Sequence, residues 1–189
     1  MDKIVFDIET KNTFEDVGGR DNFHALQVSL VGAYSYDKDE YMTFGEDELG
    51  KFGELARHAM LIGFNSKGFD VPVLEKHYHF ALSSVPHYDI LEEIDTRLGK
   101  RISLDLLAKA NLGEDRGKNG HGLDAIRYYR EGDMESLRKY CLQDVKVTKE
   151  IFDLIRSQAY LWVPQRNTPE MARVELPFEE PKEEQSKLL

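Results

Sequence analysis

Residues 5–10, VFDIET, put two acids inside a run that otherwise reads as a buried strand. Ile4, Phe6 and Ile8 alternate with Val5, Asp7 and Glu9, the pattern of a strand covered on both faces. Side chains two residues apart share a face of a strand, so Asp7 and Glu9 point the same way. Carboxylates on a covered face are costly unless something compensates them. Whatever the chain folds into must bring that compensation to one side of this strand.

The next segments supply the rest of a sheet. VSLVGAYSY (28–36) and EYMTFG (40–45) read as strands joined by the turn-forming DKDE, an antiparallel hairpin. AMLIGFN (59–65) is a fourth strand candidate and HYDIL (87–91) a fifth. Helical patterns cover 46–58, a segment beginning near Asp70, 104–111 and 134–157. Strands interleaved with helices in 189 residues of 41% hydrophobic content indicate a single α/β domain around a mixed sheet. The last helix is the clearest element. Asp133 suits its N-cap, and Leu137, Tyr140, Cys141, Val147, Ile151, Leu154 and Ile155 form an apolar stripe that Asp144 interrupts.

The domain is expected to span 1–162. Beyond it lie four of the six prolines with many glutamates, so 163–189 reads as a mobile tail or a strap laid on the domain, not as a packed extension. Acids among the first ten residues and no long apolar stretch leave no signal peptide or membrane span to read, which makes the cytoplasm the expected compartment. The single cysteine, Cys141, reads as a small buried side chain without chemistry.

A formal net charge of -10 argues against a broad basic surface that grips nucleic acid through many phosphates. It leaves room for a nucleic-acid enzyme whose bound cations reverse the local sign. Two further acids join Asp7 and Glu9: Asp70, after GFNSKGF at a strand-to-helix junction, and Asp144 in the long helix. Four acids aimed at one interior repel each other unless a cation intervenes. With no matching cysteine or histidine spacing, oxygen ligands suit Mg²⁺ or Mn²⁺ better than Zn²⁺. Two such ions about 4 Å apart stabilise the attacking and leaving oxygens of a phosphodiester displacement. Tyr140, one helical turn before Asp144, shares its face and offers a neutral phenol to orient a water.

These stretches resemble a known family. FDIET, IGFNSKGFD and YCLQD look like the three motifs of the DEDD superfamily, metal-dependent 3′ to 5′ exonucleases with a ribonuclease H-like fold, a mixed β-sheet flanked by α-helices. The spacing from Tyr140 to Asp144 is that of the tyrosine-type subgroup; the histidine type would carry His where this chain has Lys139. The resemblance runs from residue 4 to about 157 and extends to stand-alone or helicase-associated exonucleases. It implies that Asp7, Glu9, Asp70 and Asp144 bind two Mg²⁺ or Mn²⁺ ions, that Tyr140 and Glu9 position water, and that Asn65 lies near the substrate end. Thr10, Lys67 and Phe14 complete the candidate substrate contacts, Phe14 by stacking on a terminal base and Lys67 by steadying the strand. The implied partners are a nucleic acid with a 3′ end and a helicase, polymerase or other repair protein, with no membrane. DNA and RNA both remain open.

Quieter readings stand beside these. Asp70 alone suits a helix N-cap, Asn65 a turn, Tyr140 a core aromatic, Asp144 a buried ion pair, and Phe14 local packing. His77 and His79 are two apart and splay on a helix, so they make no zinc pair. GEDRGKNGHG is read as a flexible loop, with Arg116, Lys118 and His121 reaching a phosphate as the alternative. The closing QSKLL faintly resembles a sliding-clamp-binding peptide. Three motifs in this order favour the nuclease; the alternatives are a non-catalytic binding or scaffolding module, and an RNA-directed or endonucleolytic nuclease on the same fold.

Overall fold

The computed structural model describes residues 1–114, 122–165, 168 and 170–180. Arg116, Lys118, His121 and the closing QSKLL lie outside the described residues. The strand that carries the two acids, β1 (Asp2–Thr10), sits in the middle of a five-stranded sheet. Its neighbours are β2 (Val28–Ser35), β3 (Glu40–Gly45), β4 (Ala59–Gly63) and β5 (His87–Asp89), in the order β3-β2-β1-β4-β5. β1 and β2 pair antiparallel, as do β2 and β3, while β4 runs parallel to β1 and to β5. This is the mixed α/β sheet that the sequence predicts, hairpin included.

Alternation along β1 divides the core. Ile4, Phe6 and Ile8 pack with Val31 and Ala33 under α1 (Leu49–Ala56) and α2 (Asp70–Leu74). Val5 faces the other way, toward Tyr34, Ile62 and the buried Val145, Ile151, Phe152 and Ile155 of α6 (Met134–Gln158). Asp7 and Glu9 continue the row of Val5, so both acids lie on the α6 side. Asp133 caps α6 as expected, its carboxylate accepting the Ser136 N–H at 3.0 Å.

How closely α6 lies on the sheet depends on Gly32, which is paired with Asp7 across the β1–β2 ladder. A Cβ there would stand 2.8 Å from the Cys141 sulfur and 3.0 Å from a Val145 methyl carbon. The helix therefore rests on bare backbone beside Asp7.

Two helices were not legible in the sequence, α3 (Ile90–Leu98) and α5 (Gly122–Glu131); α4 (Leu104–Leu112) falls where it was expected. Over its described residues, the tail read as mobile or as a strap, and not as a packed extension, proves packed. β6 (Tyr160–Pro164) and β7 (Met171–Glu175) form an antiparallel hairpin whose Leu161, Val163 and Val174 are buried, as is Leu176 after it. Alternation at period two gives that hairpin an apolar face, and Pro164 and Pro177 fall at or beyond strand ends, where they break no ladder. The chain then crosses the domain as a strap. Phe178 meets Phe152 edge-on at 4.9 Å and Tyr88 at 5.5 Å, and Glu180 pairs with Lys3 at 3.0 Å and Arg156 at 3.6 Å. No described helix is long and apolar enough to cross a membrane.

Candidate metal centre

Three elements deliver the four acids. Asp7 and Glu9 come from the end of β1, where the register with β2 shifts between Glu9 and Thr10. Asp70 is the first residue of α2, and Asp144 lies in the N-terminal half of α6. Glu9, Asp70 and Asp144 are buried, at 8%, 3% and 5% exposure, and Asp7 is half-buried.

Asp70 does not cap its own helix, whose N-cap position is Phe69. Its Oδ1 instead accepts the Ile8 N–H at 3.0 Å, which docks the carboxylate on β1 between the two acids of that strand. Burial pushes the Asp70 carboxyl up to about 7. The Ile8 N–H opposes that rise, and the charges of Asp89 and Asp144 add to it.

Cys141 forms one wall of the same site. One donor atom each from Asp7, Glu9 and Cys141 lies within 4.8 Å of the others. The thiol donates weakly to the Asp7 backbone carbonyl at 3.7 Å. Burial pushes its pKa well up, and the charges of Asp7, Glu9 and Asp144 push further in the same direction. Cys141 thus lies in the field of three of the four acids, whereas the sequence reading gave it no role. Its place between Tyr140 and Asp144 on one helical stripe was the available signal.

The donor set fits a hard divalent cation. Burial, and after it the charges of Asp89 and Asp144, disfavours the charged Asp70 carboxylate, and a cation with carboxylate oxygen ligands offsets that cost. Tyr140 is buried one turn before Asp144, its ring edge-on to Tyr128 at 6.4 Å.

The loop that delivers Asp70 is held by a residue the sequence reading missed. Buried Asp89 accepts the backbone N–H groups of Asn65 and Lys67, both at 2.9 Å, while also capping α3 through Leu91 and Glu92. The Asp-x-x-Glu spacing of Asp89 and Glu92, directly before a helical run, was its signature. Asn65 takes a left-handed φ of 61°, and Gly68 N–H closes the turn onto its carbonyl at 3.1 Å. Ser66 Oγ shares a hydrogen bond of 2.8 Å with His87 Nε2. The turn reading of Asn65 therefore describes its backbone.

The four substrate candidates divide between two cavities. Thr10 and Phe14 line a pocket of about 320 Å³ beside Glu9, with Phe69, Leu123 and Ile126 as apolar walls. Phe14 also packs locally, edge-on to Phe23 at 5.4 Å and Phe69 at 5.7 Å, and the Thr10 hydroxyl donates to the Asn12 carbonyl at 2.9 Å. Asn65 and Lys67 line a separate polar cleft of about 290 Å³. There Arg101 donates to Asn65 Oδ1, and Lys67 pairs with Glu92 at 2.6 Å. His77 ends a short 3-10 turn, with His79 beyond it, and neither joins a metal-binding cluster among the described residues.

Known proteins place this architecture. A profile of the RNase_H superfamily matches residues 4–156, and no curated protein matches the chain. Among solved structures, the family B DNA polymerase of the archaeon Pyrobaculum calidifontis aligns with a TM-score of 0.61 at 19% identity, over 82% of this chain and 24% of the polymerase. E. coli Exonuclease I in complex with a dT13 oligonucleotide aligns with a TM-score of 0.54 at 14% identity, over 83% of this chain and 41% of that protein. At such identities the likeness is one of fold, and this chain spans less than half the length of either protein. The profile covers all four acids, and on that match the chain belongs to the RNase_H superfamily.

Proposed function

We propose that the protein is a metal-dependent 3′ to 5′ exonuclease of the tyrosine-type DEDD group that hydrolyses phosphodiester bonds of DNA or RNA. The observation that carries this is the docking of Asp70 onto the Ile8 N–H, which adds a third acid to the end of β1 under the helix that brings the fourth. Asp7, Glu9, Asp70 and Asp144 would hold two Mg²⁺ or Mn²⁺ ions, which when bound acidify water and stabilise the charge that builds on the phosphate. The remaining work falls to the chain itself. Tyr140, with Glu9, orients the attacking water. The pocket beside Glu9 takes the terminal nucleoside, its base against Phe14, Phe69 and Leu123. Asn65 and Lys67 steady the strand further from the end. A helicase, polymerase or other repair protein is the partner we propose beside the nucleic acid.

The test is degradation of 5′-labelled single-stranded DNA and RNA of matched sequence with Mg²⁺, Mn²⁺ or chelator, wild type beside Asp7→Ala. A ladder that shortens from the 3′ end, lost with chelator and in the variant, is expected. Internal cuts at the first time points would make the enzyme an endonuclease. Intact substrates with metal present would leave a binding module.

A further inference from the structure

The hairpin formed by β6 and β7 has two unlike faces. Leu161, Val163 and Val174 are buried, so the intervening residues face outward. Trp162 is 40% exposed and Met171 is 49% exposed. The Arg173 guanidinium lies over the Tyr160 ring at 4.0 Å, and Tyr160 meets Trp162 edge-on at 5.9 Å. Arg173 is also the cross-strand partner of Trp162. The hairpin is held in place: the Asn111 side chain accepts the Trp162 N–H and donates to its carbonyl, both at 2.8 Å.

A line of cations joins this face to the loop that delivers Asp70. Lys100 donates to the Pro164 carbonyl at 2.5 Å and has no acid partner among the described residues. Its neighbour Arg101 donates to Asn65 Oδ1. Arg173 also pairs with Glu175 at 3.2 Å and Arg101 with Asp95 at 3.8 Å, exposed pairs of the kind that contribute little and can exchange for a phosphate, while Lys100 carries no such pair among the described residues. With the exposed ring of Trp162 and the half-buried ring of Tyr160, these cations complement a polyanion that also carries flat rings.

We propose that the outward face of the β6–β7 hairpin binds single-stranded nucleic acid upstream of the end held at the metal centre, with a base stacked on Trp162 and the backbone running past Arg173 and Lys100 to Arg101. This rests on the nuclease reading and gives it a substrate class, a single strand several nucleotides long.

Trp162 is the only tryptophan in the chain, so its fluorescence reports on this face alone. Oligothymidylates of about 3 and about 12 nucleotides are titrated into the full chain in chelator at low and high salt; the longer probe matches the span of one ssDNA-binding domain. The longer one is expected to quench Trp162, less so at high salt, and the shorter one to leave it unchanged. By anisotropy of a labelled 12-mer, Trp162→Ala weakens binding about tenfold, as expected for the loss of one stacked base. Trp162→Phe retains most of the affinity, and Arg173→Gln, which keeps the fluorophore, weakens it with a smaller salt dependence. Cleavage of the short oligomer with Mn²⁺ is scored separately. Cleavage without quenching by the 12-mer overturns the proposal and leaves the exonuclease standing. Quenching without cleavage sinks the exonuclease and supports this face as a single-strand surface. Equal affinity of Trp162→Ala and wild type for the 12-mer also overturns it, and leaves the face to a protein partner.

Discussion

Gly32 stands opposite Asp7 across β1 and β2, and the Cys141 sulfur occupies the space a side chain at Gly32 would need. The first acid of the site and the helix that brings the last are thus set against each other through a residue with no side chain.

Gly32→Ala should therefore lift α6 from the sheet. The added methyl would meet sulfur at 2.8 Å, and overpacking of this kind costs about 1–3 kcal/mol. Urea denaturation should show that loss, with a larger loss of metal affinity by calorimetry. Cys141→Ala in the same chain should restore part of both, and no recovery would place the strain elsewhere.

Asp144→Asn should abolish metal-dependent cleavage, by about 10²-fold or more, with the fold retained. Removing one of the charges that raise the Asp70 carboxyl also relieves repulsion among buried acids. In chelator the variant should accordingly melt no lower than wild type. Retained cleavage would sink the site assignment.

The Asp70 carboxyl, pushed up to about 7 from an ordinary value of 3.8, fixes the sign of a pH effect. Its neutral form belongs to the folded state, so its contribution to stability is full below 3.8 and is lost as pH rises through about 7. Denaturation in chelator at pH 5.5, 6.5 and 7.5 should show wild type losing stability relative to Asp70→Asn as pH rises. Mn²⁺ should reverse the trend in wild type alone.

Leu123 is 67% exposed on the wall of the pocket beside Glu9. Leu123→Ala should change stability by no more than about 0.5 kcal/mol, as for other exposed positions. It should raise KM several-fold with little change in kcat, measured on a short single strand. An unchanged KM would remove Leu123 from the terminal subsite.

Phe178→Ala tests the strap. With two aromatic partners removed at once, the loss should be about 2 kcal/mol, below the cost of a fully buried phenylalanine because Phe178 is only partly covered. Thermal denaturation reads it. Cleavage at 25 °C should be unchanged, because the strap packs on the C-terminal half of α6.

The sequence disclosed what depends on short-range pattern. Alternation placed β1, β2 and β3 and set Asp7 and Glu9 on one face, and the helical stripe set Tyr140 and Asp144 on another. What it hid depends on contacts far along the chain. The need for glycine at position 32 exists only once α6 is in place. Asp89 looked like the middle of a strand because HYDIL runs on apolar through the cap. The β6–β7 hairpin was masked by prolines and glutamates whose placement at strand ends and on outward faces left Leu161, Val163 and Val174 free to pack.

The spread of the acids along the chain orders events during synthesis. A nascent chain can pair β1 with β2 at once, since they are consecutive, but β1 then waits for β4 and for a helix that begins at residue 134. Until that helix emerges and settles on Gly32, Asp7 and Glu9 sit on a strand without Asp144. The sheet can form early, whereas the proposed centre gains its fourth acid only when nearly the whole domain has left the ribosome, so a product that stops short of that helix would carry three of the four acids.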